Sequence, residues 1–356
     1  MENLKKYLKK KNVEISAKRY FIDAMSSMAQ GLFCSLLIGT IIKTLGEQLN
    51  IEFFITAGKF ASSMAGPAMA VAIGYALKAD PMVLFSLIAV GQSANELGKA
   101  GGPLAVLFVA IIACEVGKLV SKETKVDILV TPFVTVTVGV LLSKLIAPPI
   151  AKFANAFGVC IFKATELKPF LMGIIVSVLV GIALTLPISS AALCASFGLV
   201  GLAGGAAVAG CSAQMVGFAI MSFKENKWGG LVSQGIGTSM LQMPNIIKKP
   251  VIWLPPIIAS AVTGPLATCV FKLKMNGEAV SSGMGTCGFV GQIGVLTGWV
   301  SPSEKALAMG EVAHNAAALD YIGLILICFV LPAIICLSLR YLMEKQGLIK
   351  SEDLKL

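Results

Sequence analysis

Long apolar runs separated by short polar breaks dominate the chain, and their lengths match a bilayer. A helix needs roughly 20 mostly apolar residues to cross a hydrocarbon core of about 30 Å. Runs of this kind occupy approximately 20–44, 103–121, 127–148, 168–187, 250–271 and 320–343. The last, DYIGLILICFVLPAIICLSLRYLMEK, is the cleanest. Pro332 within it is acceptable because neighbouring helices re-satisfy the backbone that a membrane proline frees. Shorter or interrupted apolar stretches fall at 51–64, 65–79, 81–92, 191–222, 230–247 and 283–299. The pattern predicts an all-α polytopic membrane protein of about ten transmembrane helices, with broken or re-entrant segments among them.

Four polar islands interrupt the apolar pattern. GQSANELGKAGGP, 91–103, carries Gln92, Asn95, Glu96 and Lys99; the stretch Pro187–Ala219 carries Gln214. LVSQGIGTSMLQMPNIIKKP, Leu231–Pro250, carries Gln234, Gln242 and Asn245, and Ser281–Gly294 carries Gln292. Each island mixes glycines with amides. Non-helical backbone at membrane depth is tolerated only against protein or along a water-filled cavity, so the islands are candidates for a solute pathway. Tight helix packing through small residues, with amides bonding across helices, accounts for the same composition. Glu96 is the strongest single candidate, because an intramembrane carboxylate is costly unless paired or solvated. An ion pair with Lys99 is its structural alternative.

The segment 301–320, SPSEKALAMGEVAHNAAALD, has a helix-start signature in Ser301, Pro302 and Glu304. A helix continuing from there places Glu311, His314 and Asn315 on one face. A carboxylate beside the only histidine can bind substrate or carry a proton. A solvent-exposed amphipathic connector explains the same pattern and is the preferred reading.

Composition supports the membrane reading. Of 356 residues, 56% are hydrophobic and 13% charged, against about 25% charged in soluble domains; mean hydropathy is +0.84. The net charge of +10 is concentrated outside the apolar runs. Lys5, Lys6, Lys9, Lys10, Lys11, Lys18 and Arg19 precede the first run, and Arg340 closes the last, with Lys345 and Lys350 after it. This distribution fits the positive-inside rule with both termini cytoplasmic, hence an even number of crossings. Nucleic-acid binding is not expected; the basic N-terminal segment reads first as a topology anchor, with contact to anionic membrane lipid as its second reading. The expected organisation is a basic segment over 1–19, a transport domain over 20–343 and a cytoplasmic tail over 344–356. Cleavage of a signal peptide is not expected.

Catalytic chemistry of the chain's own is not indicated. The nine cysteines are scattered through apolar segments without a C-x-x-C pair, which points to neither disulfides nor zinc. With one histidine, no metal centre is expected. There is no phosphate-cradling G-x-x-x-x-G-K-[ST] motif, and no cofactor is expected.

QGIGTSMLQMPNI, preceded by AQMVGFAIMSFKENKWGGLVS and followed by GMGTCGFVGQ, resembles the membrane (enzyme IIC) subunits of the bacterial phosphoenolpyruvate-dependent sugar phosphotransferase system. The branch it resembles includes the perfringolysin regulator-like proteins. The likeness runs over roughly 20–345 and is densest from 187 to 295. It implies a homodimeric permease of the bacterial cytoplasmic membrane that moves a sugar while separate IIA and IIB proteins supply phosphate. It also implies a glutamate and a histidine at the sugar, for which this chain offers Glu96 or Glu311 and His314. Residues 65–150 and 200–275 each run from a small-residue segment through a polar break to a proline-containing helix, a faint echo of an inverted repeat, whose broken segments mark binding sites in transporters. The expected sugar or polyol site therefore draws on Gln92, Asn95, Glu96, Gln214, Gln234, Gln242, Asn245, Gln292, Glu311 and His314. Two other readings stay open: an ion-coupled secondary transporter of a small polar solute, and a ligand sensor that transports nothing.

Overall fold

The computed structural model describes residues 2–313 and 315–356, with side chains from Lys6 onward. The described chain is helical; no named strand forms among these residues, and one isolated antiparallel bridge joins Gly201 to Met275. The fold comprises two compact units, Met1–Phe153 and Ala154–Leu356. Among the described residues, six helices are long and apolar enough to cross a membrane: Arg19–Leu49, Pro81–Val120, Asp127–Ala164, Gly201–Met221, Pro250–Val270 and Ala318–Lys345. Shorter apolar helices cover Ala65–Ala76, Pro169–Thr185 and Cys287–Val300.

In the first unit, the short basic helix Glu2–Lys10 is tied to the turn after Val120. Tyr7 donates to the Leu119 carbonyl at 2.6 Å, and Lys11 pairs with Glu123 and the Ser121 carbonyl. The 40-residue apolar stretch Pro81–Val120 is two helices, Pro81–Gly98 and Gly102–Val120. Lys99, at φ +50°, breaks it; a left-handed residue cannot continue an α-helix. Thus 91–103 is a real interruption of a spanning pattern. The Asp127–Ala164 helix runs through Pro132, Pro148 and Pro149, so the apolar run expected to stop near 148 does not end the helix. Proline's fixed φ suits a helix, and membrane helices tolerate the lost donor. Large apolar side chains such as Phe53, Phe60, Phe85, Leu129, Phe133 and Leu145 point outward, the surface a bilayer solvates.

The second unit is built around Gly201–Met221, which is buried along nearly its whole length. Its sequence GLAGGAAVAG explains this. Lipid offers no hydrophobic gain for helix association, so close packing of small residues provides the contact. Gly210 lies against the Ser177 backbone of helix Pro169–Thr185, and Gly173 of that helix lies against Gly264. Ser177 donates to the Ser260 carbonyl at 2.7 Å, and Ser260 donates back to Gly210 at 3.3 Å.

Between the spans, parts of this unit fold into short pieces. Ser190–Phe197 packs on Ala279–Ser282, with Ser190 donating to the Gly283 carbonyl at 2.6 Å. Val290–Val300 follows a break at Gly288 and Phe289, both of positive φ. The expected helix over 301–320 is replaced by a single turn-and-a-half, Glu304–Ala308. Its cap is Ser303, whose hydroxyl accepts from the Ala306 N–H at 3.4 Å, because the Ser301 N–H closes the preceding helix on Thr297. Gly310, at φ +83°, then ends it. Glu311 and Asn315 are therefore outside any helix and share no helical face.

Candidate functional site

The amide groups divide into sets with different surroundings. In the first unit, Gln92, Asn95 and Glu96 lie on the last turns of Pro81–Gly98. Gln92 Nε2 donates to Glu96 Oε1 at 2.7 Å, one helical turn apart. Gln92 Oε1 is buried without a partner. Glu96 is exposed, and its partner is Gln92 rather than Lys99. Asn95 is half-buried, its side-chain oxygen held against Gly102.

In the second unit, Gln214 is fully buried and engaged on both ends. Its Oε1 accepts from Trp253 Nε1 at 2.8 Å and from Thr185 Oγ1 at 3.2 Å, and its Nε2 donates to Ser260 at 3.3 Å. Thr185 and Ser239 hydroxyls meet at 2.8 Å. One glutamine thus joins helices Pro169–Thr185, Gly201–Met221 and Pro250–Val270 to the broken segment at Ser239.

Gln234, Gln242 and Asn245 form a relay. Asn245 donates to Gln242 Oε1 at 2.9 Å, Gln242 to Gln234 Oε1 at 2.9 Å, and Gln234 to the Ser222 hydroxyl at 2.8 Å. Each amide nitrogen spends its second hydrogen elsewhere: Gln234 on the Gly230 carbonyl, Gln242 on the Leu354 carbonyl, Asn245 on the Lys355 carbonyl. The segment 351–356 is received further by Asn226, which donates to Leu354 O at 2.8 Å and accepts from the Leu356 N–H at 2.9 Å. Lys249 pairs with Asp353 at 2.6 Å. Burial works to raise the Asp353 carboxyl, but hydrogen bonds from Lys249 and the Lys350 N–H outweigh it and hold the group below its usual range. What Gln242 and Asn245 grip in this conformation is the chain's own tail, with Gln234 bracing Gln242 from behind.

The third set surrounds the isolated bridge. Gly201 and Met275 exchange backbone hydrogen bonds at 2.9 and 3.0 Å. Gly201 sits at φ +64°, and a Cβ there would lie 2.9 Å from Glu311 Oε1, so glycine lets the carboxylate approach. Glu311 pairs with Lys274 at 2.8 Å, both partly buried. Gln292 donates to Ser212 at 3.1 Å, and its Oε1 is buried without a partner. Beside this seam lies a cavity of about 730 Å³ lined by Leu296, Trp299, Val300, Ala313, Asn315, Ala316 and Tyr321. Trp299 and Tyr321 meet edge to face with centroids 5.2 Å apart. Pockets for small ligands occupy roughly 300–1,000 Å³ and combine apolar walls with a few polar groups. His314 falls outside the described residues.

Lys274, Asn276 and Trp299 were not among the residues singled out from the sequence. FKLKMNGEAV reads as a charged connecting turn, and its burial comes from the glycines of Val290–Val300 on one side and of Gly201–Met221 on the other. Among the described residues, no group of histidine, cysteine and acidic side chains is placed to hold a metal.

An outward apolar surface around buried polar clusters makes this an integral membrane protein of the polytopic helical class. The family model described as "Phosphotransferase system, EIIC" matches residues 22–356, and the chain belongs to that family. It is a membrane subunit of a phosphotransferase system. No curated protein and no solved structure matches it.

Proposed function

We propose that the chain is the membrane permease of a sugar phosphotransferase system in the bacterial cytoplasmic membrane. It carries a sugar or polyol inward while separate IIA and IIB proteins phosphorylate it. The observation that carries this reading is the seam in the second unit, where the non-helical chain around the Gly201–Met275 bridge carries the Lys274–Glu311 pair, the helix Val290–Val300 carries the unpartnered carbonyl oxygen of Gln292, and an aromatic-lined cavity lies beside them. Uncompensated buried polar atoms cost about 1–3 kcal/mol each. Hydroxyl-rich solutes satisfy such atoms, and aromatic faces suit sugar rings. Glu311 is the membrane carboxylate at the sugar and His314 its neighbour in sequence. Gln92, Asn95 and Glu96 also meet the solute. Gln214 holds the helices in register, and Gln242 and Asn245, braced by Gln234, meet the solute when segment 351–356 releases them. Both termini lie on the cytoplasmic side, in keeping with the lysine-rich flanks, and the working unit is a homodimer, as the family resemblance implies.

The test is counterflow in liposomes containing the purified protein and loaded with single sugars or polyols, without phosphocarriers. Saturable exchange of one compound supports the permease. Binding without exchange, also when IIA, IIB and phosphoenolpyruvate are supplied, favours a sensor. Uptake that follows an imposed proton gradient favours ion coupling.

A further inference from the structure

We infer that Asn276 is a substrate-reading residue of this permease, its carboxamide taking two neighbouring hydroxyls of the sugar; the inference rests on the permease reading. Asn276 is completely buried, and neither its Nδ2 nor its Oδ1 has a hydrogen-bond partner. Among the described residues it is the side chain with both ends of a buried amide unsatisfied. Native interiors pair nearly all such groups, so an orphaned amide calls for a missing partner.

The backbone around Asn276 cannot shift to find one. Ser303 clamps it twice: its N–H donates to the Asn276 carbonyl at 2.9 Å, and its hydroxyl donates to the Gly277 carbonyl at 2.9 Å. On the other side the Asn276–Gly277 peptide lies directly on Gly298, where a Cβ would come within 2.3 Å of Gly277 N and 2.5 Å of the Asn276 carbonyl carbon. Only glycine permits that approach. Asn276 also follows Met275, the residue paired with Gly201, against which Glu311 rests. A fixed backbone with an unpaired side chain is the arrangement of a preorganised binding group.

The chemistry of the missing partner follows from which atoms are free. A cation satisfies Oδ1 and leaves Nδ2 unpaired; an anion does the reverse. A partner that donates and accepts at once is required, and the candidates are water and an alcohol. Two adjacent sugar hydroxyls fit a carboxamide as one acceptor and one donor pair. The residue is sealed in this conformation by segment 301–311, which is held by Ser303 and by the Lys274–Glu311 pair. The sugar reaches Asn276 when that cover lifts.

The experiment uses full-length protein in detergent, with binding of radiolabelled glucose, fructose, N-acetylglucosamine, mannitol and cellobiose, and with thermal melting in the presence and absence of whichever is bound. Asn276→Leu keeps the size and removes both polar ends. The expected result is sugar-free melting at or above the wild-type temperature, because an orphaned amide has been removed. Affinity should fall about ten- to a hundredfold, the worth of two hydrogen bonds, and sugar-induced stabilisation should be lost. Asn276→Ala should show the same loss of affinity if the leucine variant folds poorly. Wild-type affinity in a folded variant overturns the assignment and leaves the permease reading standing. A drop in sugar-free melting with unchanged affinity assigns Asn276 to a bound structural water and overturns it as well. If wild type binds none of the five and exchanges none in liposomes, both the permease reading and this assignment fail.

Discussion

Replacing Gln214 with leucine separates packing from transport most cleanly. Leucine fits the space but removes one acceptor of two hydrogen bonds and one donor, at 2.8, 3.2 and 3.3 Å. Interhelical hydrogen bonds in membranes average about 0.6 kcal/mol, so three contribute roughly 2 kcal/mol. Trp253 Nε1 and the Ser260 hydroxyl are then left behind. Ser260 keeps Gly210 and Pro256 carbonyls as acceptors, so the added penalty falls on the half-buried Trp253 donor, about 1 kcal/mol at the low end for an unsatisfied group. The total is about 3 kcal/mol, a lowering of melting temperature on the order of 4 °C for a chain of this size. The assay is thermal unfolding in detergent, followed by sugar affinity of the folded fraction below the melting temperature. The account expects lower melting and near-normal affinity. A Gln214→Leu, Trp253→Phe pair should lose less than the sum of the single changes, because the orphaned donor is gone. Unchanged melting with abolished binding would refute the reasoning and place Gln214 on the sugar.

Three further outcomes follow from other contacts. Gly201→Ala meets a left-handed φ and the Glu311 carboxylate; it should cost about 1–2 kcal/mol and loosen the Lys274–Glu311 pair, read as lower melting and weaker sugar binding together. Arg340, buried against Glu225 by two hydrogen bonds at 2.6 and 3.0 Å, should cost about 3–5 kcal/mol when changed to methionine, since Glu225 is left buried and alone; adding Glu225→Leu should recover much of that in melting experiments. Asp353 titrates below its ordinary range when docked, so its contribution is complete above the free carboxyl value of about 3.9 and disappears as pH falls through the lower docked value. A spin label at exposed Glu352 (as Glu352→Cys, with Cys34, Cys160 and Cys269 replaced by serine) should stay immobile at neutral pH and gain mobility below about pH 4, whereas Asp353→Asn should be mobile throughout.

The spans were the legible part of the sequence, because a bilayer imposes one length on every crossing. The run expected at 20–44 is the helix Arg19–Leu49, 250–271 is Pro250–Val270 and 320–343 is Ala318–Lys345. Polar breaks were legible too: 91–103 became the turn at Lys99, and Leu231–Pro250 became short helical pieces. The partners of the polar residues were not. Gln242 and Asn245 are occupied by carbonyls more than a hundred residues away, a contact no local pattern encodes, and Gln234 is held by Gln242, Ser222 and Gly230. Asn276 escaped notice because a lysine-flanked Asn-Gly reads as a surface turn until Gly294 and Gly298 bury it. Glu311 and Asn315 were placed on a helix by spacing alone, and Gly310 ended that helix first.

The central claim is a sugar permease that depends on outside phosphocarriers, and vectorial phosphorylation tests it most directly. Inside-out vesicles containing the protein would be given phosphoenolpyruvate, the general phosphocarrier proteins and the cell's soluble IIA and IIB fraction, with labelled sugar trapped in the lumen. The account predicts that one sugar emerges phosphorylated, only when every component is present, and that Glu311→Gln abolishes the signal while the protein remains folded. Sugar release that is unphosphorylated and follows a proton gradient, or no sugar handled under any of these conditions, would contradict it.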